Sequence, residues 1–116
     1  MRILFITKDF IVEPLGIMYL STALKSAGHQ TDIVKADIEN VEEKIRDFSP
    51  DIISYSIITG DHKYFRNFNL KLKDKFSFIA VFGGSHPTFF NEFINEQGVD
   101  IICIGECEKA LVDLAN

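Results

Sequence analysis

Cysteine is scarce in this 116-residue chain: Cys103 and Cys107 are the only two. One falls in an expected strand and the other just after it. A disulfide framework is therefore not expected, and a reducing compartment, taken as cytoplasmic, is. Basic residues are outnumbered, with 12 Lys and Arg against 17 Asp and Glu for a formal charge of −5. The lysines are scattered, which argues against a nucleic-acid partner, because such surfaces need clustered cations to displace counterions. Long hydrophobic runs are missing too. The opening MRILFITKDF reaches Lys8 and Asp9 too soon for a signal peptide or a membrane span. The three histidines and two cysteines lack the short paired spacing of a structural zinc site. There is no low-complexity segment and no dinucleotide-binding GxGxxG.

What the chain does have is a 47% hydrophobic content, enough for one core with helices on both faces of a sheet but not for a second catalytic domain. Apolar runs occur at Ile3 to Ile6, Thr31 to Val34, Asp51 to Gly60, Phe78 to Phe82 and Asp100 to Ile104, separated by intervals long enough for one helix each. That alternation predicts an α/β fold: a three-layer Rossmann-like or flavodoxin-like domain over residues 1–116, with five parallel strands in order 2-1-3-4-5. The short, polar second strand around Asp32 suits an edge. Helical periodicity appears in Ile17, Leu20, Leu24 and Ala27, stopped by Gly28. It recurs in Ile38, Val41, Ile45 and Phe48 before Pro50, and in Phe65, Phe68 and Leu72. Lys63, Arg66, Lys71, Lys73 and Lys75 read as the solvated exterior of that third helix. A short helix carries Phe89, Phe90, Phe93 and Ile94 up to Gly98, and a final one carries Ala110, Leu111 and Leu114.

In open parallel sheets, ligands sit beyond the carboxyl ends of the strands where strand order reverses. The central run DIISYSIITG is broken there by the hydroxyls of Tyr55, Ser56 and Thr59, so residues 56–61 are the first candidate site. The fourth strand ends in Gly83-Gly84-Ser85-His86-Pro87-Thr88. Two consecutive glycines remove side chains where a bulky ligand could approach, and the following amides can face its polar groups. A tight strand-to-helix turn accounts for the same glycines. Ser56, Thr59 and His86 at the same edge favour a small-molecule site. A flavodoxin would carry a hydroxyl- and glycine-rich phosphate loop after strand one, where this chain has Lys8 to Pro14. A phosphorylated receiver domain would pair acidic residues there with an Asp ending strand three and a Lys ending strand five. Here Asp9 stands alone, strand three ends in Ser56 to Thr59, and strand five ends in Gly105.

Five motifs in order span nearly the whole chain: Pro14-Leu15-Gly16-Ile17-Met18-Tyr19-Leu20, Gly28-His29, Pro50-Asp51-Ile52-Ile53, Gly83-Gly84-Ser85-His86-Pro87-Thr88 and Gly105-Glu106-Cys107-Glu108. Together they resemble the amino-terminal cobalamin-binding domain of B12-dependent radical S-adenosylmethionine enzymes. The resemblance implies a cofactor-holding module presenting the corrin to a separate iron-sulfur barrel in the same parent chain. S-adenosylmethionine and a 4Fe-4S cluster would belong to that barrel, since no CxxxCxxC occurs here. It further implies that Ser56, Ile57, Ile58 and Thr59 line the cleft for the nucleotide tail, with Gly83 and Gly84 making room for it. Ser85 and His86 would contact the tail or its phosphate, and Gly105 and Glu106 would lie beside the base.

Two departures matter. Family members usually have Gly where this chain has Cys107, a side chain able to narrow the cleft or to cap a helix. The cobalt-ligating DxHxxG of methyltransferase-type domains is replaced by Asp9-Phe10-Ile11-Val12-Glu13-Pro14, so no histidine ligates cobalt from that loop. His86 is the nearest substitute but reads first as a hydrogen-bonding loop residue, while His29 and His62 read as surface or turn residues. No residue is assigned a catalytic or metal-ligating role. Two other readings stand beside the cofactor module. One is the same fold without cofactor, acting as a substrate-binding or interdomain structural module. The other is a small enzyme using Cys107 and His86 as nucleophile and base, which lacks a third orienting group.

Overall fold

Alternating apolar residues in parallel strands can bury both faces of a sheet only if helices cover each, and the computed structural model has that arrangement. It describes residues 1–7, 21–36, 38–56, 62–83, 97–102 and 108–116. Strands β1 (Arg2–Thr7), β2 (Gln30–Lys35), β3 (Ile52–Ser56), β4 (Ile79–Gly83) and β5 (Ile101–Ile102) form one sheet in the order β2-β1-β3-β4-β5. Every neighbouring pair is parallel. Both the expected order and the expected edge position of β2 are found. The fourth strand lies one residue later than its apolar run, because Phe78 is buried just ahead of the ladder. The described part of β5 is two residues long, and Cys103 and Ile104 lie outside the described residues.

Side-chain alternation divides the core in two. Ile3, Phe5, Ile52 and Val81 face helix α1 (residues 21–26) and helix α4 (Glu108–Ala115), meeting Leu24, Leu111 and Ala115. Leu4, Ile6, Ile53, Tyr55, Ala80 and Phe82 face helices α2 (Ile38–Phe48) and α3 (His62–Lys73), meeting Val41, Ile45, Phe65, Phe68 and Leu72. Of the apolar stripes expected for these helices, Leu24, Val41, Ile45, Phe65, Phe68, Leu72 and Leu111 are buried, Phe48 and Leu114 are partly buried, and Ala27 is exposed. No described helix is long and apolar enough to cross a membrane.

The connections follow local chemistry. Gly28 takes φ +92° after α1, and the amides of Gly28 and His29 donate to Lys25 O and Leu24 O at 3.0 Å each. Beyond α2, Ser49 takes φ +52°, and its amide donates to Ile45 O at 2.8 Å. Glycine is the usual residue for such a cap, because a Cβ there is crowded by the backbone. Asp51 Oδ2 then accepts from the Arg2 amide at 2.9 Å while the Arg2 guanidinium donates to Phe48 O at 2.8 Å, pinning the turn into β3 against the start of β1. At that same edge the Met1 amine lies 2.9 Å from His29 Nδ1, and His29 Nε2 lies 2.7 Å from Asn116 Oδ1.

Lys73 departs from the solvated face expected for α3. Its side chain is only 25% exposed, and its Nζ donates to Phe78 O at 2.9 Å and pairs with Asp100 Oδ2. Asp100 Oδ2 also accepts from the Ala80 amide at 2.8 Å, so this ion pair ties α3, β4 and the entry to β5 together. Lys75 pairs with Glu42 of α2 at 2.7 Å. Lys63 and Lys71 keep the solvated role.

Candidate functional site

Because all five strands are parallel, their carboxyl ends share one edge, and the order reverses between β1 and β3. Thr7 ends β1, Ser56 ends β3 and Gly83 ends β4. Ser56 is in register with Gly83, and Ile6, just before Thr7, is in register with Tyr55, just before Ser56. Three adjacent central strands therefore finish level with one another in Thr7, Ser56 and Gly83. Of the residues expected to form a site, Ser56 and Gly83 are brought together here. Ile57, Ile58, Thr59, Gly84, Ser85, His86, Gly105 and Glu106 lie outside the described residues, as does Cys107.

On the α2/α3 side this edge is closed. Tyr55 stacks on Phe82 with ring centroids 4.6 Å apart and planes at 15°, and tilts against Phe65 at 5.8 Å. Its hydroxyl donates to Asn69 Oδ1 at 2.9 Å, and Asn69 Nδ2 donates to Gly98 O at 2.8 Å. Burial pushes the Tyr55 pKa well above its ordinary value, which keeps the hydroxyl a neutral donor. The Tyr55 hydroxyl thus belongs to the core, not to the polar edge that the central run suggested. Asn69 was not singled out by the sequence, since nothing local distinguishes a buried Asn from a solvated one in α3.

On the α1/α4 side Thr7 and Gly83 stand at the strand ends, with Ser54 a step below them at the level of Phe5 and Val81. Strand alternation places Ser54 and Thr7 on the face of Ile52 and Phe5, and Gly83 follows Val81 with no side chain. Thr7 is 5% exposed, and its Oγ1 is buried without a hydrogen-bond partner. A buried hydroxyl in that state is unfavourable in the folded chain alone and is a group ready for a ligand. Thr7 was missed in the sequence although the signal was present: it is a hydroxyl ending an apolar run, as Ser56 is.

Other concavities lie elsewhere. A cavity of about 420 Å³ at the opposite edge is lined by Met1, Arg2, Gly28, Gln30, Ser49 and Asp51. One of about 290 Å³ lies between α1 and the edge strand β2, where Ser21 and Thr31 bond each other at 2.6 Å. Among the described residues no cluster of His, Cys, Asp and Glu could hold a metal ion.

A family model described as the B12 binding domain matches residues 1–115. The chain belongs to the B12-binding domain family. This B12-binding domain is 34% identical over 115 residues to the anaerobic magnesium-protoporphyrin IX monomethyl ester cyclase of Cereibacter sphaeroides; the match covers 89% of the chain and 18% of that relative. The domain thus spans about a fifth of the length of the curated relative it matches. Among solved structures it is similar to a CheY-like protein (TadZ) of Pseudomonas aeruginosa, with a TM-score of 0.75 at 14% identity over 97% of this chain and 91% of that one. The amino-terminal domain of the nisin resistance regulator NsrR gives a TM-score of 0.67 at 20% identity over 98% and 92%. At these identities the likeness is one of fold, which B12-binding and receiver-type domains share.

Proposed function

We propose that this B12-binding domain holds cobalamin over the carboxyl edge of its sheet for a radical S-adenosylmethionine catalytic domain in the same parent chain. The observation that carries the cofactor reading is the contrast at that edge, where the α2/α3 side is packed and hydrogen-bonded while β1 and β4 finish on the α1/α4 side in Thr7 and Gly83, with the Thr7 hydroxyl unpartnered. Small residues and one free polar group suit a narrow polar moiety entering beside the central strands. In this reading Ser56 to Thr59 wall the cleft, Gly83 and Gly84 leave room for the tail, Ser85 and His86 contact it, and Gly105 and Glu106 lie beside its base. Bound cobalamin would supply cobalt-centred alkyl-transfer or one-electron chemistry; the domain itself binds and orients. The link to a radical enzyme is supported by the motif resemblance and by the greater length of the cyclase relative.

Cobalamin titration followed by visible absorption and calorimetry tests the reading. Specific binding by the wild type should be abolished by Gly84→Val, which fills the tail cleft, and retained by Lys71→Ala on the solvated face of α3. Lys73→Ala is unsuited as the control because Lys73 secures β4 and β5. The chain alone should not cleave S-adenosylmethionine, since it has no iron-sulfur ligand set. Absence of specific cobalamin binding in both this chain and its full-length parent would replace the proposal with a cofactor-free structural or substrate-binding module.

A further inference from the structure

We propose that the Thr7 hydroxyl is a direct hydrogen-bonding contact for the nucleotide tail of cobalamin, an inference that rests on the cofactor-holding reading above. Along β1, Ile3, Phe5 and Thr7 alternate onto the α1/α4 face, and all three are buried. Valine would satisfy the same strand geometry, shape and burial without a polar atom to desolvate. Threonine instead places a buried hydroxyl with no partner at a position only 5% exposed, which lowers the stability of the ligand-free fold. The main chain of Thr7 is already engaged, its carbonyl accepting from the Ala36 amide at 2.6 Å. Farther out on the same face, Ser21 and Thr31 satisfy each other at 2.6 Å, so unpaired hydroxyls are not a general habit of this layer.

Position selects the part of the ligand. Thr7 is the last residue of β1, one step beyond the final β1/β3 pair of Ile6 and Tyr55, and it is 5% exposed on the face that α1 and α4 cover. A corrin ring is too wide to descend between a sheet and its helices, where only a chain-like group with polar atoms fits. The nucleotide tail is that group, and cobinamide, which lacks the tail, is the matched probe without it.

The experiment compares wild type, Thr7→Val and Thr7→Ser for thermal stability without ligand and for calorimetric binding of cobalamin and of cobinamide. Thr7→Val should raise the ligand-free Tm by about 4 °C through removal of the unsatisfied hydroxyl. It should weaken cobalamin binding by about five- to tenfold, the share of one neutral hydrogen bond, and leave cobinamide binding unchanged. Thr7→Ser, which keeps the hydroxyl, should restore most of the cobalamin affinity. A Thr7→Val protein that is less stable or fails to fold would show that the hydroxyl has a structural partner such as an internal water, and would overturn the proposal. Unchanged cobalamin affinity, or an equal loss with cobinamide, would overturn it as well while leaving the cofactor reading in place. If wild type binds neither corrinoid, the cofactor reading itself fails, a result distinct from binding that ignores Thr7.

Discussion

At the carboxyl edge, the α2/α3 face of the sheet ends in stacked Tyr55 and Phe82 rings and the Tyr55–Asn69–Gly98 hydrogen-bond chain, whereas the α1/α4 face ends in Thr7 and Gly83, with Ser54 a step below them. The strands are shared, so the difference comes from alternate residues of the same few segments. Tyr55 and Ser54 are neighbours in β3, and Phe82 and Gly83 are neighbours in β4. One face contributes packing and closed hydrogen bonds, and the other keeps small side chains and an unsatisfied donor. The stacked rings and the unpartnered hydroxyl thus lie on opposite faces of a single sheet, and substitutions on the two sides should have separable consequences.

The largest expected effect is on the packed side. Phe82→Ala should destabilise the fold by about 3–5 kcal/mol in urea unfolding, because an enclosed ring is lost and its stacking partner is left with a cavity. Its cobalamin affinity, measured where the variant is still folded, should stay within a few-fold of wild type; loss of binding there would break the division between faces. Next comes Asn69→Leu, which strands the Tyr55 hydroxyl and the Gly98 carbonyl and should cost about 2–4 kcal/mol. If Asn69→Leu proves neutral, the polar chain is dispensable and the packed face rests on its rings alone.

The pH dependence sharpens the same contrast. Tyr55 has a folded-state pKa raised by burial, so the folded protein keeps a proton that the unfolded chain releases above about pH 10. Its contribution to stability is complete below that pH and falls as pH rises toward the raised folded value, by about 1.4 kcal/mol per pH unit. Denaturant titrations of wild type and Tyr55→Phe should agree in slope below pH 10 and diverge above it. The smallest effect lies away from both faces: Ser49→Gly should raise stability by about 0.5 kcal/mol, since relief of the positive φ is partly offset by the freer unfolded glycine.

Strand number, direction and order were legible because each apolar run is followed by a helix-length interval with its own stripe, as in Val41 and Ile45 or Phe65 and Leu72. Positive φ at Gly28 was legible because a helical stripe stops there at a glycine; at Gly98 only the end of an expected helix was legible. Ser49 was not, because the residue before a proline gives no sign of a left-handed cap. Which element would claim the Tyr55 hydroxyl was also hidden. Alternation says that Ser54 and Tyr55 point opposite ways, but the partner that claims the Tyr55 hydroxyl, Asn69, sits on another element. Lys73 was misread on similar grounds, since its ion pair reaches Asp100 on the far side of a loop and a helix-length interval. At the candidate site, the level ending of Thr7, Ser56 and Gly83 is a matter of register, which the sequence constrains only through the strands it aligns.

One imidazole, that of His29, touches both the first residue of the chain and the last. The two ends are therefore within a side chain's span, on the rim opposite Thr7, Ser56 and Gly83. Such a unit can be spliced into a surface loop of a larger protein, or closed into a ring by a short glycine-serine bridge and reopened at an exposed turn, without rerouting any strand. A rearranged chain of that kind should melt cooperatively and keep Thr7, Ser56 and Gly83 level with one another, because the new join lies at the opposite rim of the sheet.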